Sequence, residues 1–356
     1  MSDRAARLAE RLPEIGADLL VVTSLVNVRY LTGFTGSNGL VLVGPETRAF
    51  VTDFRYVEQS AAQVDPAFDR LVAPELLDAI PDLLPRGAAR LAFEDAHLTV
   101  RSHRRLHDLV GDGIELVAGG DPVESLRAVK DVEEIRRIAE AARLADAALR
   151  QIMERGLVGR TEVSVATTLQ RAMSDLGAQR PSFDPIVAAG PHGALPHAQP
   201  REVEIGPDQL VVIDWGAELD GYCSDCTRTL STGELADATL EVYDLVREAQ
   251  LAGLDALKAG VGGREADAAA REVIGEAGHA EHFGHGLGHG VGLDIHEAPR
   301  LSQRSDSVLA SGNVVTVEPG VYLPGQFGVR IEDLVVITDT ACDILTSVPK
   351  ELITVG

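Results

Sequence analysis

Short apolar runs punctuate the first third of the chain. "DLLVVT" at 18–23, "GLVLVG" at 39–44 and "AARLAFED" at 88–95 are brief and bounded by glycine or polar residues, which predicts buried strands. Helical stretches lie between them, so this part reads as α/β, and the opening "MSDRAARLAERLPEIGADLL" reads as a charged amphipathic helix. Turn residues then concentrate in "GDGIELVAGGDPVE", which predicts a boundary between domains at 1–122 and 123–356. From Asp131 onward Ile135, Ile138, Ala142, Ala145, Leu149 and Ile152 recur at helical spacing, predicting one long helix. Further helices are expected at about Glu162–Leu176, Leu240–Lys258 (stopped by Gly260) and Arg264–Glu276. "QLVVIDWGAELDGYCSDCTRTL" and "NVVTVEPGVYLPGQFGVRIEDLVVIT" read as hairpins, so the second part is α+β, helices with an antiparallel sheet. No internal repeat stands out.

Composition narrows the class. The chain has 356 residues, 45% of them hydrophobic and 24% charged, enough for a large core and two domains. Its net charge of −23 repels phosphate backbones, which excludes nucleic acid as an expected partner. No apolar run approaches the ~20 residues of a membrane span. Without a signal-peptide core, and with three cysteines, the expected compartment is the reducing cytoplasm. Cys223 and Cys226 form a C-x-x-C, but on a strand they point to opposite faces and no second pair completes a zinc site.

The hairpins carry the candidate chemistry. Asp214 and Asp225 lie symmetrically about Leu219–Asp220; a turn there puts them opposite one another with Cβ atoms ~5 Å apart. Carboxylates that close need a proton or a cation between them. Glu318, before the strand-breaking Pro319–Gly320, and Glu332, within an apolar strand, are equally expensive to bury alone. Four acids with one neutral imidazole carry a charge that two divalent cations neutralise, and paired metals bridged by carboxylates lie ~3.5–4 Å apart. A carboxylate-rich set favours Mn²⁺, with Co²⁺ or Zn²⁺ as alternatives. The imidazole comes from "HFGHGLGHGVGLDIHEAP", with four histidines and five glycines; spacing does not choose among His282, His285, His289 and His296. The run holds neither G-x-G-x-x-G nor H-E-x-x-H. Ser37 in "TGSNG" lacks the G-x-S-x-G of a serine hydrolase, because Thr35 occupies the first glycine position.

Together these motifs resemble the metal-dependent pita-bread peptidases (peptidase family M24), in the branch of aminopeptidase P and prolidase. "IDWGAELDGYCSDCTRT", "GHGLGHGVGLDIHE", "TVEPG" and "VRIED" are similar to the family's ligand motifs, while "NVRYLTGFTGSNG" and "VTDFRY" resemble the smaller creatinase-type domain that precedes the catalytic one. The resemblance implies that Asp214 holds one metal, Asp225 and Glu332 bridge two, and His289 and Glu318 hold the second. It also implies that Glu318 shuttles the proton, His197 and His296 stabilise developing charge, and His285 lines the pocket. Arg330, two residues before Glu332, is expected to orient that carboxylate, and Arg300 is either a carboxylate anchor or a surface arginine. The implied activity is hydrolysis of the Xaa–Pro bond in small peptides with proline second, as an Xaa-Pro dipeptidase or alternatively an aminopeptidase P, in a homodimer. A non-catalytic or creatinase-like relative is the distant alternative. Two departures bear watching: His192 as an additional metal contact, and Cys226 beside Asp225 as an oxidation-sensitive thiol.

Overall fold

The apolar runs of the first third become strands of one sheet. In this computed structural model, which describes residues 3–356, Leu19–Val22 lies antiparallel to Gly39–Val43 and parallel to Arg90–Phe93. Every residue of Leu19–Val22 and Gly39–Val43 is buried, as in a sheet covered on both faces, which is why these segments show no alternation. Arg48–Thr52, Asp69–Val72 and Glu115–Ala118 complete the six strands. The last two are edge strands whose residues are mostly exposed, so they lack the apolar signature of a buried strand. Of the expected N-terminal helix, Arg4–Ala9 is helical and a 3-10 turn follows at Leu12–Ile15; its first two positions lie outside the described residues.

Glu115–Ala118 occupies the turn-rich stretch in which the domain boundary was expected. The chain divides later, into a unit ending at Arg127 and another running from Ala128 to Gly356. The helix Pro122–Ala128 explains the difference. Its Glu124 accepts from Asn27 Nδ2 (2.5 Å) and its Arg127 Nη1 donates to Asn27 Oδ1 (2.7 Å), which ties it to the first unit.

The second unit repeats one arrangement. Helices Val132–Arg155 and Glu162–Asp175 back an antiparallel sheet of Ile186–Ala189, Leu210–Trp215 and Cys226–Ser231. Helices Asp237–Asp255 and Gly263–Glu276 back a five-stranded sheet containing Gly288–Gly290, Val314–Val317 and Asp333–Ile337. The long helix starts on a reciprocal capping box: Asp131 Oδ1 accepts from Glu134 N and Glu134 Oε2 from Asp131 N, both at 2.9 Å, satisfying donors that a helix start leaves open.

The hairpins differ from expectation in register. Leu219 pairs with Tyr222 and Asp214 with Thr227, so the first hairpin turns between Asp220 and Gly221, one position later than assumed. Asp220 takes a positive φ of 49° there. Asp225 is therefore the diagonal neighbour of Asp214, on the same face but two residues along. The second hairpin is broken into two paired segments: Val314–Val317 pairs with Asp333–Ile337, and Gly320–Leu323 with Phe327–Arg330. Glu318 and Glu332 occupy the gap between the segments.

Glycines in the histidine run let neighbouring backbone close in. A Cβ on Gly288 would lie 2.0 Å from the Thr316 carbonyl oxygen, whereas one on Gly284 would meet nothing within 4 Å. Gly288→Ala is expected to destabilise the protein by about 2 kcal/mol or more, as overpacking against backbone does. Gly284→Ala should stay within about 0.5 kcal/mol. Urea unfolding midpoints compare the two, and equal midpoints would contradict the packing described.

Candidate active site

Alternation on the strand Leu210–Trp215 sorts its side chains. Val211, Ile213 and Trp215 enter the helix-backed core, and Trp215 Nε1 donates to Ala145 O at 2.9 Å. Asp214 points the other way, into a cleft of about 640 Å³. On the neighbouring strand Thr227 lies opposite Asp214, and its hydroxyl donates to Glu332 Oε2 at 2.7 Å. Carboxylate oxygens of Asp214, Asp225 and Glu332 all lie within 4.8 Å of one another. His289 and Glu318 close the group. His289 Nε2 is 3.6 Å from Asp225 Oδ2 and 3.4 Å from Glu318 Oε1.

The electrostatics of this group call for a cation. Burial pushes the Asp225 and Glu332 carboxyls well above their ordinary range, and repulsion among the acids pushes in the same direction. Burial also raises Glu318 to about 7 and lowers His289 to about 3. The His289 Nδ1–H donates to Gly290 O at 3.1 Å, so the neutral ring turns a bare Nε2 lone pair toward carboxylate oxygens. Lone pairs facing lone pairs repel unless something electropositive sits between them. Asp214 Oδ1 is buried without a hydrogen-bond partner, which is costly for an oxygen kept from both water and cation. The donors present, carboxylate oxygens with one imidazole nitrogen, fit divalent metal ions.

Arg330 braces this floor. Its Nη2 donates to Asp214 Oδ2 (2.8 Å), its Nε to Thr227 Oγ1 (3.0 Å), and its Nη1 to Tyr322 OH (2.9 Å) and Pro196 O (3.2 Å). The expectation that Arg330 orients Glu332 is thus corrected. The strand breaks at Ile331, so the guanidinium reaches Asp214 directly and Glu332 only through the Thr227 hydroxyl. Sequence reading passed over Thr227 and Tyr322. Thr227 follows Asp225 by two on one strand face, a signal that was available; nothing local marks Tyr322.

His285, His289 and His296 all line the cleft, as do His197 and Arg300. His285 Nδ1 donates to Gly286 O (2.8 Å), leaving Nε2 to accept from Tyr322 OH (2.9 Å). His296 meets His289 edge-on with ring centroids 4.5 Å apart. His197, His296 and Arg300 are exposed, so they form the mouth rather than the floor. His282 instead pairs with His279, Nδ1 to Nδ1 at 3.1 Å.

His192 turns away from the cleft and hydrogen-bonds Glu162 at 3.0 Å, so it offers no additional metal contact. Cys226 is buried and donates to the Glu332 carbonyl oxygen at 3.3 Å. Burial lifts its thiol pKa well above the ordinary value, which suppresses the thiolate that oxidation requires.

Comparison with known proteins agrees with this architecture. Residues 136–339, more than half of the chain, match metallopeptidase family M24, and residues 4–129 match the creatinase/prolidase N-terminal domain. The Xaa-Pro dipeptidase of Pyrococcus furiosus is 35% identical over 357 residues, covering 99% of this chain and 100% of that protein. The structure of the Xaa-Pro dipeptidase from Bacillus anthracis superposes with a TM-score of 0.95 at 42% identity, covering 99% of each chain. That of the X-Pro aminopeptidase from Thermotoga maritima MSB8 gives 0.90 at 36%, covering 98% of this chain and 99% of the other. The second unit is the pita-bread α+β fold, preceded by a creatinase-type α/β unit.

The raised carboxyl pKa values set a pH dependence. A carboxyl whose pKa is raised by folding holds its proton more tightly in the fold. Its stabilising contribution is complete at low pH and falls as pH climbs from the ordinary ~4 through its folded value, about 7 for Glu318. Chelator-treated protein should therefore melt lower at pH 7.5 than at pH 5.5. Mn²⁺ at a hundred times its Kd should restore about 2.7 kcal/mol, with the larger Tm gain at pH 7.5. A melting temperature indifferent to Mn²⁺ at both pH values would remove the cation from this cluster.

Proposed function

The chain belongs to metallopeptidase family M24, and on that premise we propose that it hydrolyses the Xaa–Pro bond of dipeptides. The observation that carries the dipeptidase reading is Arg300. It lies on the cleft wall four residues from His296, and among the described residues its guanidinium has no carboxylate partner. A planar guanidinium suits the free carboxylate of a C-terminal proline, a group that longer peptides do not present there. The resemblance to an Xaa-Pro dipeptidase over the whole chain supports the same reading.

Asp214, Asp225, His289, Glu318 and Glu332 would hold two divalent ions, which we infer to be Mn²⁺, in a cytoplasmic homodimer. Those ions supply Lewis acidity and a water acidified to near neutrality. The remaining chemistry belongs to the side chains. Glu318, whose Oε1 accepts from Thr316 Oγ1 at 3.1 Å at the edge of the acid cluster, is suited to take the water's proton and return it to the leaving proline nitrogen. His197 and His296 at the mouth hydrogen-bond the carbonyl oxygen as negative charge develops on it. Arg330 fixes Asp214 and offsets part of the burial that raises its carboxyl pKa, and His285 with Tyr322 shapes the wall.

Glu318→Gln removes the proton carrier while keeping the side-chain shape. Turnover of an Xaa-Pro dipeptide should fall at least about a hundredfold, the range for general acid–base groups, with metal content retained. Substantial residual turnover removes Glu318 from that role. Arg300→Met should raise KM for a dipeptide about tenfold or more with kcat nearly unchanged, the signature of lost binding common to substrate and transition state. Faster cleavage of Xaa-Pro-Xaa tripeptides than of dipeptides by the wild-type protein would favour the aminopeptidase reading and retire Arg300 as the anchor.

A further inference from the structure

Glu162 is completely buried, lies outside the cleft, and opens the helix Glu162–Asp175. It is not needed as a cap, because Thr161 already accepts from Ser164 N at 3.1 Å. Its carboxylate instead gathers donors from both ends of the segment that carries His197. On the near side, Ala189 N donates to Oε1 at 3.0 Å, and His192 Nδ1 lies 3.1 and 3.0 Å from the two oxygens. On the far side, Arg201 donates through its backbone N (2.9 Å), Nε (3.1 Å) and Nη2 (3.0 Å). Burial opposes ionisation here, and the Arg201 guanidinium with the two backbone N–H groups overcomes it, holding the carboxyl below its ordinary value.

Between these ends, the segment is held at Pro196 O by Arg330 Nη1, whose Nη2 grips Asp214. The His197 side chain itself is exposed and, among the described residues, makes no hydrogen bond. Its position is therefore set by the backbone on either side, which Glu162 fastens at 189–192 and at 201.

We propose that Glu162 is a positioning residue that clamps both ends of the 189–201 segment and so holds His197 at the cleft mouth. The kinetic part of this inference rests on the proposed Xaa-Pro peptidase reading. The clamp itself is geometric.

The test pairs Glu162→Gln with His197→Ala and their double variant, each Mn²⁺-loaded and assayed on Ala-Pro. Glutamine presents an NH₂ to a ring of donors, so the clamp loosens while volume is kept. Glu162→Gln should lower kcat about tenfold, since small misplacements of a catalytic group carry such penalties, while Mn²⁺ affinity by calorimetry stays unchanged. In the His197→Ala background the same substitution should change kcat less than about twofold, because residues acting through one another are not additive. Additive losses, an inert His197→Ala, or a parallel loss of Mn²⁺ affinity would each overturn the proposal. Arg201→Met, which keeps the carboxylate and the backbone donors, should show a smaller loss with the same non-additivity, and it serves if Glu162→Gln does not fold. Ring NMR of labelled histidines reads the clamp without substrate. In either variant the His197 resonance should shift or broaden while that of His103, in the first unit, stays. If wild-type protein cleaves no dipeptide, the functional reading fails on its own; an unchanged His197 resonance sinks the clamp.

Discussion

Negative charge held in one small buried volume is the constraint to which the rest of the second unit answers. Asp214, Asp225 and Glu332 converge within 4.8 Å, with Glu318 and the bare Nε2 of His289 beside them. Such a group raises its own pKa values by burial and mutual repulsion, and no protein that lacked a use for a cation there would be helped by it. Every ligand candidate is mounted on a strand or at a strand break, backed by helices whose apolar faces form the two cores. A rigid mount matters because relaxation would let the acids move apart and reduce the cost that a cation relieves.

The interior polar contacts divide the labour. Thr227 accepts from Arg330 and donates to Glu332, and Thr316 donates to Glu318, so neighbouring hydroxyls aim the carboxylates. Arg330 supplies the positive charge that the protein itself contributes, reaching Asp214, Thr227, Tyr322 and Pro196 at once. A second buried positive centre stands behind the floor. Arg228 Nη2 donates to Asp333 Oδ1 at 2.7 Å, and Lys350 Nζ to Asp333 Oδ2 at 2.6 Å, so the residue following Glu332 is fixed by its own ion pairs. Buried pairs of this kind constrain geometry more dependably than they add stability.

Floor and mouth differ in physical character. The clustered acids and His289 are buried or nearly so, whereas His197, His296 and Arg300 are exposed to water at the cleft mouth. The mouth consequently depends on backbone restraint, from the Glu162 clamp on one side and the buried ion pair of Lys130 with Glu297, at 3.2 Å, beside His296 on the other.

Much of this was legible in the chain. The long helix, the helix pairs, the central strands and the pairing of acids with hairpins follow from periodicity, because burial of one face imposes it. The four acids were conspicuous because they fall on two hairpins, each opened by an apolar run. The edge strands Asp69–Val72 and Glu115–Ala118 were not legible, because exposure removes the apolar pattern. Local pattern also misjudged the first hairpin by one position, since Asp220 accepts the positive φ of the turn, and it read Glu332 as mid-strand where the ladder breaks. Composition and spacing alone left four histidines equivalent. Tertiary structure separates them, because strand pairing brings Gly288–Gly290 beside Val314–Val317 and so turns His289 toward the acids, while His282 falls to His279. The same holds for Glu162 and His192: their partners lie 27 to 39 residues away, and only folding brings one carboxylate to both ends of a loop.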